Sequence, residues 1–329
     1  MPDIDLTLAA RYYDHLIDLV LGKVRVEGVR LTTVNLPVEE IFFRMHAFHE
    51  WDICEFSMAK YTSLVASGTP PYRAIPVFPS RVFRQSAVFV PPNSGITNAR
   101  DLAGRRVGIP EWAQTAGIYA RGYLQHQCGL RLGDVHWVQA GVNQPGRKEK
   151  AQLSLPPGVS IEKVDDRSLN DMFVAGDIDA IISAREPRCF VAGDPCIVRL
   201  WPDYRVLEEA YYRETGIFPI MHAIVIKTTI LERHPWIAMN LFKAFDEAKN
   251  NSLQRVFQSA PSQIPVAWSH HASVEVQKIF GEDCWPYGIE PNRRTLDGFL
   301  DFCCEQGVTP RRVQIDELFP REVTQFYKV

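Results

Sequence analysis

Two apolar, extended segments broken by proline constrain this chain most: FPSRVFRQSAVFV at residues 78–90 and GIFPIMHAIVI at 216–226. Proline lacks a backbone donor and fixes φ, so neither segment reads as a helix or as an uninterrupted central strand. Around them strand signals at 4–9, 31–36, 52–56, 106–109, 135–138 and 180–182 alternate with helical ones, among them 11–22, 169–175 and a long amphipathic stretch from Trp236. This alternation points to an α/β fold, and 329 residues suffice for two lobes. The expected architecture is one lobe from residues 1–84 and 222–329 and another from 85–221. The two crossovers between them would form a two-stranded hinge beside an interlobe cleft. Polar residues inside these apolar crossovers are cleft candidates: Ser80, Arg81, Arg84 and Ser86 on the first, His222 on the second. A satisfied core histidine is the competing reading of His222.

The segment DLAGRRVGIPEWAQTAGIYARGYLQHQCG, residues 101–129, reads as a short buried strand, a Pro110 break and an amphipathic helix. A strand that delivers its carboxyl end to a helix N-terminus leaves backbone N–H groups unpaired, and open α/β sheets bind ligands there. Glu111, Gln114 and Thr115 lie at that junction and Arg121 within the helix. No glycine-rich phosphate loop is present, so a small anion such as a carboxylate is expected rather than a nucleotide. An ordinary strand-to-helix connection with capping side chains is the alternative.

A net charge of -3 supplies no basic excess for nucleic acid. No apolar run approaches the length of a membrane span. The first residues, MPDIDLTLAARYYDH, contain neither a basic leader nor a separate apolar stretch. The seven cysteines are odd in number and form no CxxC pair, as reduced thiols would be. A cytoplasmic protein is expected.

The motifs FPSRVFRQSAVFV, RRVGIPEWAQTAGIYARGYLQHQCG, DAIISAREPRCF and TGIFPIMHAIVI together resemble the 4,5-dihydroxyphthalate decarboxylase family. The likeness runs from LAARYYDH to HPWIAMNLFKAFDEAK and weakens in the polar insertion at 141–158 and in the last sixty or so residues. It implies a type II periplasmic-binding-protein-like fold used as an enzyme, and loss of one carboxylate as CO2 from a dihydroxylated phthalate. The ligand would be a small aromatic dicarboxylate, with no nucleic-acid or membrane partner; a homo-oligomer stays open.

That chemistry needs a proton donor at the ipso carbon, a base or polariser at the phenol, and cations for carboxylates. Histidine titrates near neutrality as a residue type, which suits His222 as donor. Glu111 is the candidate to accept the phenolic proton or to orient His222. Arg11, Arg81, Arg121 and Arg185 are candidate carboxylate forks, and Ser57, Ser80 and Thr115 candidate neutral partners. Each arginine also has a structural reading as a salt bridge or solvated side chain. No cofactor is expected, and a metal at His46, His49, Glu50 and Asp52 is disfavoured because a para hydroxyl already provides an electron sink. Two other classes share the fold: a solute-binding protein for an aromatic acid, and a relative of the thiamine pyrimidine-precursor synthases.

Overall fold

The computed structural model describes residues 3–68, 70–260 and 263–324. Its strands are β1 (Ile4–Ala9), β2 (Val29–Val34), β3 (Ile53–Ser57), β4 (Tyr72–Arg81), β5 (Val88–Val90), β6 (Arg106–Ile109), β7 (His136–Gln139), β8 (Ile161–Lys163), β9 (Ala180–Ile182), β10 (Val198–Arg199) and β11 (Ile220–Lys227). They form two sheets, ordered β2-β1-β3-β11-β4 and β10-β5-β9-β6-β7-β8. In the first, β1 pairs in parallel with β2 and β3, while β11 runs antiparallel between β3 and β4. In the second, β6, β7, β8 and β9 are mutually parallel neighbours and β5 and β10 close one side antiparallel. Strand β3 is buried at every position, as a central strand covered on both faces must be.

The chain passes from the first sheet to the second after Arg81 and returns at Ile220, and the two passages touch: Val82 N–H donates to the Pro219 carbonyl at 3.3 Å. Pairing between β4 and β11 is irregular. Register shifts fall between Ile220 and His222, opposite Arg81 and Ser80, and between His222 and Ile224, opposite the Pro76 to Pro79 stretch of β4. The two prolines cannot donate to the ladder. The freed carbonyls go elsewhere: Gly288 N–H bonds to Pro76 O at 2.8 Å and Trp285 Nε1 to Phe78 O at 3.1 Å. The irregularity sets Ser80 opposite His222 and Arg81 opposite Ile220.

One expectation changes. Residues 11–22 are not one helix: after β1 the chain turns, with Tyr13 N–H donating to Arg11 O at 2.9 Å, and only short helical turns at Asp14–Leu16 and Ile17–Val20 come after. On the Trp236–Phe257 helix the buried stripe is Ile237, Leu241, Ala244, Phe245 and Ala248, while Trp236 stays 38% exposed. Its ring instead covers Gly28, where a Cβ would lie 2.9 Å from it. Near the C-terminus, the Arg293–Glu305 helix packs on the Thr115–His126 helix with Phe302 directly against Gly122, so residues far along the chain support the 101–129 segment.

Beside the crossovers lie two partly buried, opposite charges that do not pair. Arg84, whose guanidinium burial pushes down to about 10, donates from Nε and Nη2 to the Met221 sulfur at 3.3 and 2.9 Å. Glu208, on the Tyr204–Thr215 helix, has Oε1 buried with no hydrogen-bond partner among the described residues. Burial raises its carboxyl to about 7, against the opposing pull of the Ser86 backbone amide and the Arg84 and Arg199 charges. A carboxyl that titrates higher folded than unfolded holds extra protons in the folded state, so stability falls as pH rises from about 4.5 through 7. Glu208→Gln should flatten the pH dependence of thermal unfolding across that window and unfold later than the unsubstituted chain at pH 8. An unchanged calorimetric profile would remove this carboxyl as the cause.

Candidate active site between the two sheets

In both sheets the parallel strands end at the edge facing the other sheet. The first contributes the segment after β1, the end of β3 at Ser57, and the β4–β11 pair at Ser80 and His222. The second contributes Glu111 after β6, Gln139 at the end of β7 and Ser183 after β9. Side chains join the edges directly. Ser57 Oγ and Thr115 Oγ1 share a hydrogen bond at 3.1 Å, and Ala59 N–H donates to Thr115 Oγ1 at 3.0 Å.

At the centre lies Glu55, a fully buried carboxylate inside β3. It accepts from Tyr13 Oη and from His222 Nδ1, both at 2.6 Å, and from the Arg11 backbone N–H at 3.1 Å. Three donors satisfy the buried acid, which alone would be costly to bury. Ser57 and His222 are direct cross-strand partners, and Glu55, two residues before Ser57, shares their face of the sheet. With Nδ1–H held by a carboxylate, the imidazole has one orientation and its Nε2 is left without a hydrogen-bond partner among the described residues. The Phe42 ring meets the imidazole edge-on at 4.9 Å. Tyr13 stacks on His15 at 5.2 Å. Burial, followed by the Glu55 charge, drives the Tyr13 phenol far above its ordinary value, and burial pushes His15 down to about 4. Tyr13 therefore acts as a neutral donor, and the ring behind it is neutral as well.

Glu111 is buried beside two cations, with Arg147 Nε donating to Oε1 at 2.7 Å and Lys60 Nζ 3.2 Å from Oε2. Burial lowers the Lys60 ammonium, and the Glu111 charge opposes that shift. Arg185, just after β9, pairs with Glu39 at 2.6 Å, and both are exposed.

Of the residues expected at a site, His222, Ser57, Ser80, Thr115, Glu111, Arg11 and Arg185 lie along these edges; the Ser80 hydroxyl hydrogen-bonds Tyr13. Arg81 and Arg121 do not face the cleft. Arg81 is buried and donates to Phe218 O at 3.0 Å, to Pro286 O at 2.7 Å and to Asn292 Oδ1. The irregular β4–β11 pairing places it opposite Ile220, among protein carbonyls. Arg121 lies 3.9 Å over the Trp112 ring, bonded to Gln306 Oε1 at 2.9 Å and Trp112 O at 2.5 Å. Burial pushes the two guanidiniums down to about 10 and about 9 respectively. Glu111 does not orient His222; Glu55 does, because it shares a sheet face with the imidazole and Glu111 belongs to the opposite sheet.

Glu55, Tyr13, Lys60 and Arg147 were missed. A lone acid in the apolar strand ICEFS is a readable signal for Glu55; the other three carry none. His49 caps the Val38–Phe48 helix with φ 48°, Glu50 pairs with Arg44, and Asp52 accepts from Thr7. Among the described residues no three His, Cys, Asp or Glu side chains gather as a metal site, and no helix is long and apolar enough to cross a membrane.

No protein family profile matches the chain. Among solved structures, the periplasmic aliphatic sulphonate binding protein SsuA of Escherichia coli has a TM-score of 0.56 at 13% identity, covering 98% of this chain and 99% of that one. A periplasmic sulfonate-binding protein of Methylobacillus flagellatus has a TM-score of 0.55 at 12% identity, over 97% and 92%. These likenesses establish the fold, that of type II periplasmic binding proteins. A 4,5-dihydroxyphthalate decarboxylase of Comamonas testosteroni is 35% identical over 330 residues, spanning all of both chains. One of Pseudomonas putida is 38% identical over 214 residues, 65% of this chain and 83% of that one. The chain belongs to the 4,5-dihydroxyphthalate decarboxylase family.

Proposed function

We propose that this protein removes one carboxylate from 4,5-dihydroxyphthalate as CO2, leaving 3,4-dihydroxybenzoate, with His222 as proton donor. The observation that carries the reading is the imidazole clamped through Nδ1 to a buried carboxylate, with Nε2 making no hydrogen bond among the described residues, beside the Ser57 that meets Thr115. An aromatic carboxylate cannot depart directly, because the electron pair would be stranded in an sp² orbital. When the hydroxyl para to it gives its proton to solvent, density moves to the ipso carbon, which takes a proton from Nε2 and becomes tetrahedral. The bond to the carboxylate then breaks, CO2 leaves, and its electron pair restores the aromatic ring. The phenolate and the imidazole each regain a proton from solvent, so one proton is consumed per CO2 released. Glu55 holds the imidazole by Nδ1, which leaves Nε2 as the ring nitrogen that delivers the proton. Tyr13 donates to the same Glu55 oxygen as His222, and the exposed Arg11 guanidinium, without a side-chain partner among the described residues, is available to a carboxylate.

The para hydroxyl supplies the electron sink, so the reaction as proposed needs no metal or cofactor. The free cysteines fit a reducing, cytoplasmic setting, and the net charge of -3 fits a small-molecule ligand rather than nucleic acid. The test is to supply purified protein with 4,5-dihydroxyphthalate and follow CO2 and 3,4-dihydroxybenzoate together. Tight binding without CO2 would replace the decarboxylase with a solute-binding protein.

Glu55→Gln keeps the shape but removes the charge that fixes the imidazole tautomer. It should lower kcat by about 10²- to 10⁴-fold with little change in KM. Equal losses in kcat and in the fraction folded, read by circular dichroism on the same sample, would make Glu55 a stability residue only.

A further inference from the structure

We infer that Lys60 and Arg147, resting on Glu111, seat the carboxylate that the substrate keeps. This rests on the decarboxylase reading and extends it to specificity. Glu111 is a buried acid held by cations from different parts of the chain: Lys60 from the first turn of the Met58–Ala66 helix, Arg147 from the coil at 141–158. Arg147 spends only Nε on Glu111, and its two terminal NH2 groups make no hydrogen bond among the described residues. Lys60 has no anionic neighbour besides Glu111 among those residues. Lys150 adds a third positive charge that bears on both Lys60 and His46. The nearby Glu149 is engaged by the backbone N–H groups of Ala113, Lys150 and Ala151. Glu111 and Glu149 thus face Lys60, Arg147 and Lys150, while Glu39, on which Arg147 also bears, is paired with Arg185; the donors left over on Arg147 and Lys60 suit a further carboxylate.

The position matches the reaction. Lys60 follows Ser57 by three residues, about one helical turn, and Ser57 is the cross-strand partner of His222. Thr115, bonded to Ser57, follows Glu111 by four. The proposed seat and the imidazole therefore flank the Ser57–Thr115 contact. A ring with two adjacent carboxylates can present one ipso carbon to His222 Nε2 while the other carboxylate reaches the cations. The retained group is then bound by charge, and the departing group is left without a fork that would hold it back.

The test compares 3,4-dihydroxybenzoate with its neutral amide, 3,4-dihydroxybenzamide, by titration calorimetry on the full chain. The unsubstituted protein should bind the acid at least about tenfold more tightly than the amide. Arg147→Ala and Lys60→Met should each weaken the acid by about tenfold or more and leave the amide nearly unchanged. Arg147→Lys should restore part of the preference. Glu111 keeps one cation in each variant, Lys60 or Arg147, and the melting temperature is read on the same samples so that affinities are compared for folded protein. Absence of an acid preference in the unsubstituted protein, or variants that weaken acid and amide alike, would overturn the seat. Turnover of 4,5-dihydroxyphthalate is measured alongside. Turnover with the acid preference intact in the variants sinks the seat alone; an acid preference that depends on Arg147 in a protein without turnover sinks the decarboxylase reading alone.

Discussion

His222→Ala should lose about 10²- to 10⁴-fold in turnover, the range for removing a positioned general acid, while keeping the fold and much of the affinity for 3,4-dihydroxybenzoate. Glu55 would still accept from Tyr13 Oη and from the Arg11 backbone, so its carboxylate keeps two of its three donors. The structural cost is then one hydrogen bond to a buried acid, about 1 to 3 kcal/mol. A structural histidine predicts the reverse order, with stability falling and activity per folded molecule preserved. Melting temperature, ligand binding and turnover measured on one preparation separate the two. A stable variant with near-normal turnover removes His222 from the mechanism. His222→Gln adds a control: an amide at that position can still donate to Glu55 but cannot deliver a proton, so stability should recover and activity should not.

Arg81→Ala should have the opposite signature, with a loss of about 3 to 5 kcal/mol in stability and normal activity per folded molecule. The guanidinium lies between the Phe78 and Phe218 rings, 5.4 and 5.1 Å from their centroids. It supplies donors to the carbonyls of Phe218 and Pro286 and to the Asn292 side chain. These acceptors tie the start of β11 and the 286–292 turn to the end of β4, so their desolvation goes unrepaid when the side chain is removed. Urea unfolding should show the midpoint shift. A substrate-binding arginine would instead leave the midpoint in place and weaken the ligand. That second result would return Arg81 to the site.

These two residues show how far the sequence could be read. Both stood out for the same reason: they are polar positions in apolar, proline-broken segments. A polar residue in such a segment needs a partner, but the pattern does not say whether that partner is a ligand or the protein's own backbone. For His222 the answer depends on β3, which places Glu55 on the face where His222 lies. For Arg81 it depends on the irregular pairing opposite Pro76 and Pro79. Sequence spacing records neither, because both arise from contacts across more than a hundred residues.

The sequence by itself determined the alternation of strands and helices, because hydrophobic period and breaker residues are local properties. It determined the two proline-broken crossovers, because proline acts on its own backbone, and it marked the 101–129 strand-to-helix junction. Only the tertiary structure decided which acid holds the imidazole, which arginines are spent on carbonyls, and that a coil residue, Arg147, meets Glu111. Those outcomes depend on register and on the meeting of two sheet edges. A one-residue change of register turns a side chain from cleft to core, and such a change leaves no trace in composition or periodicity.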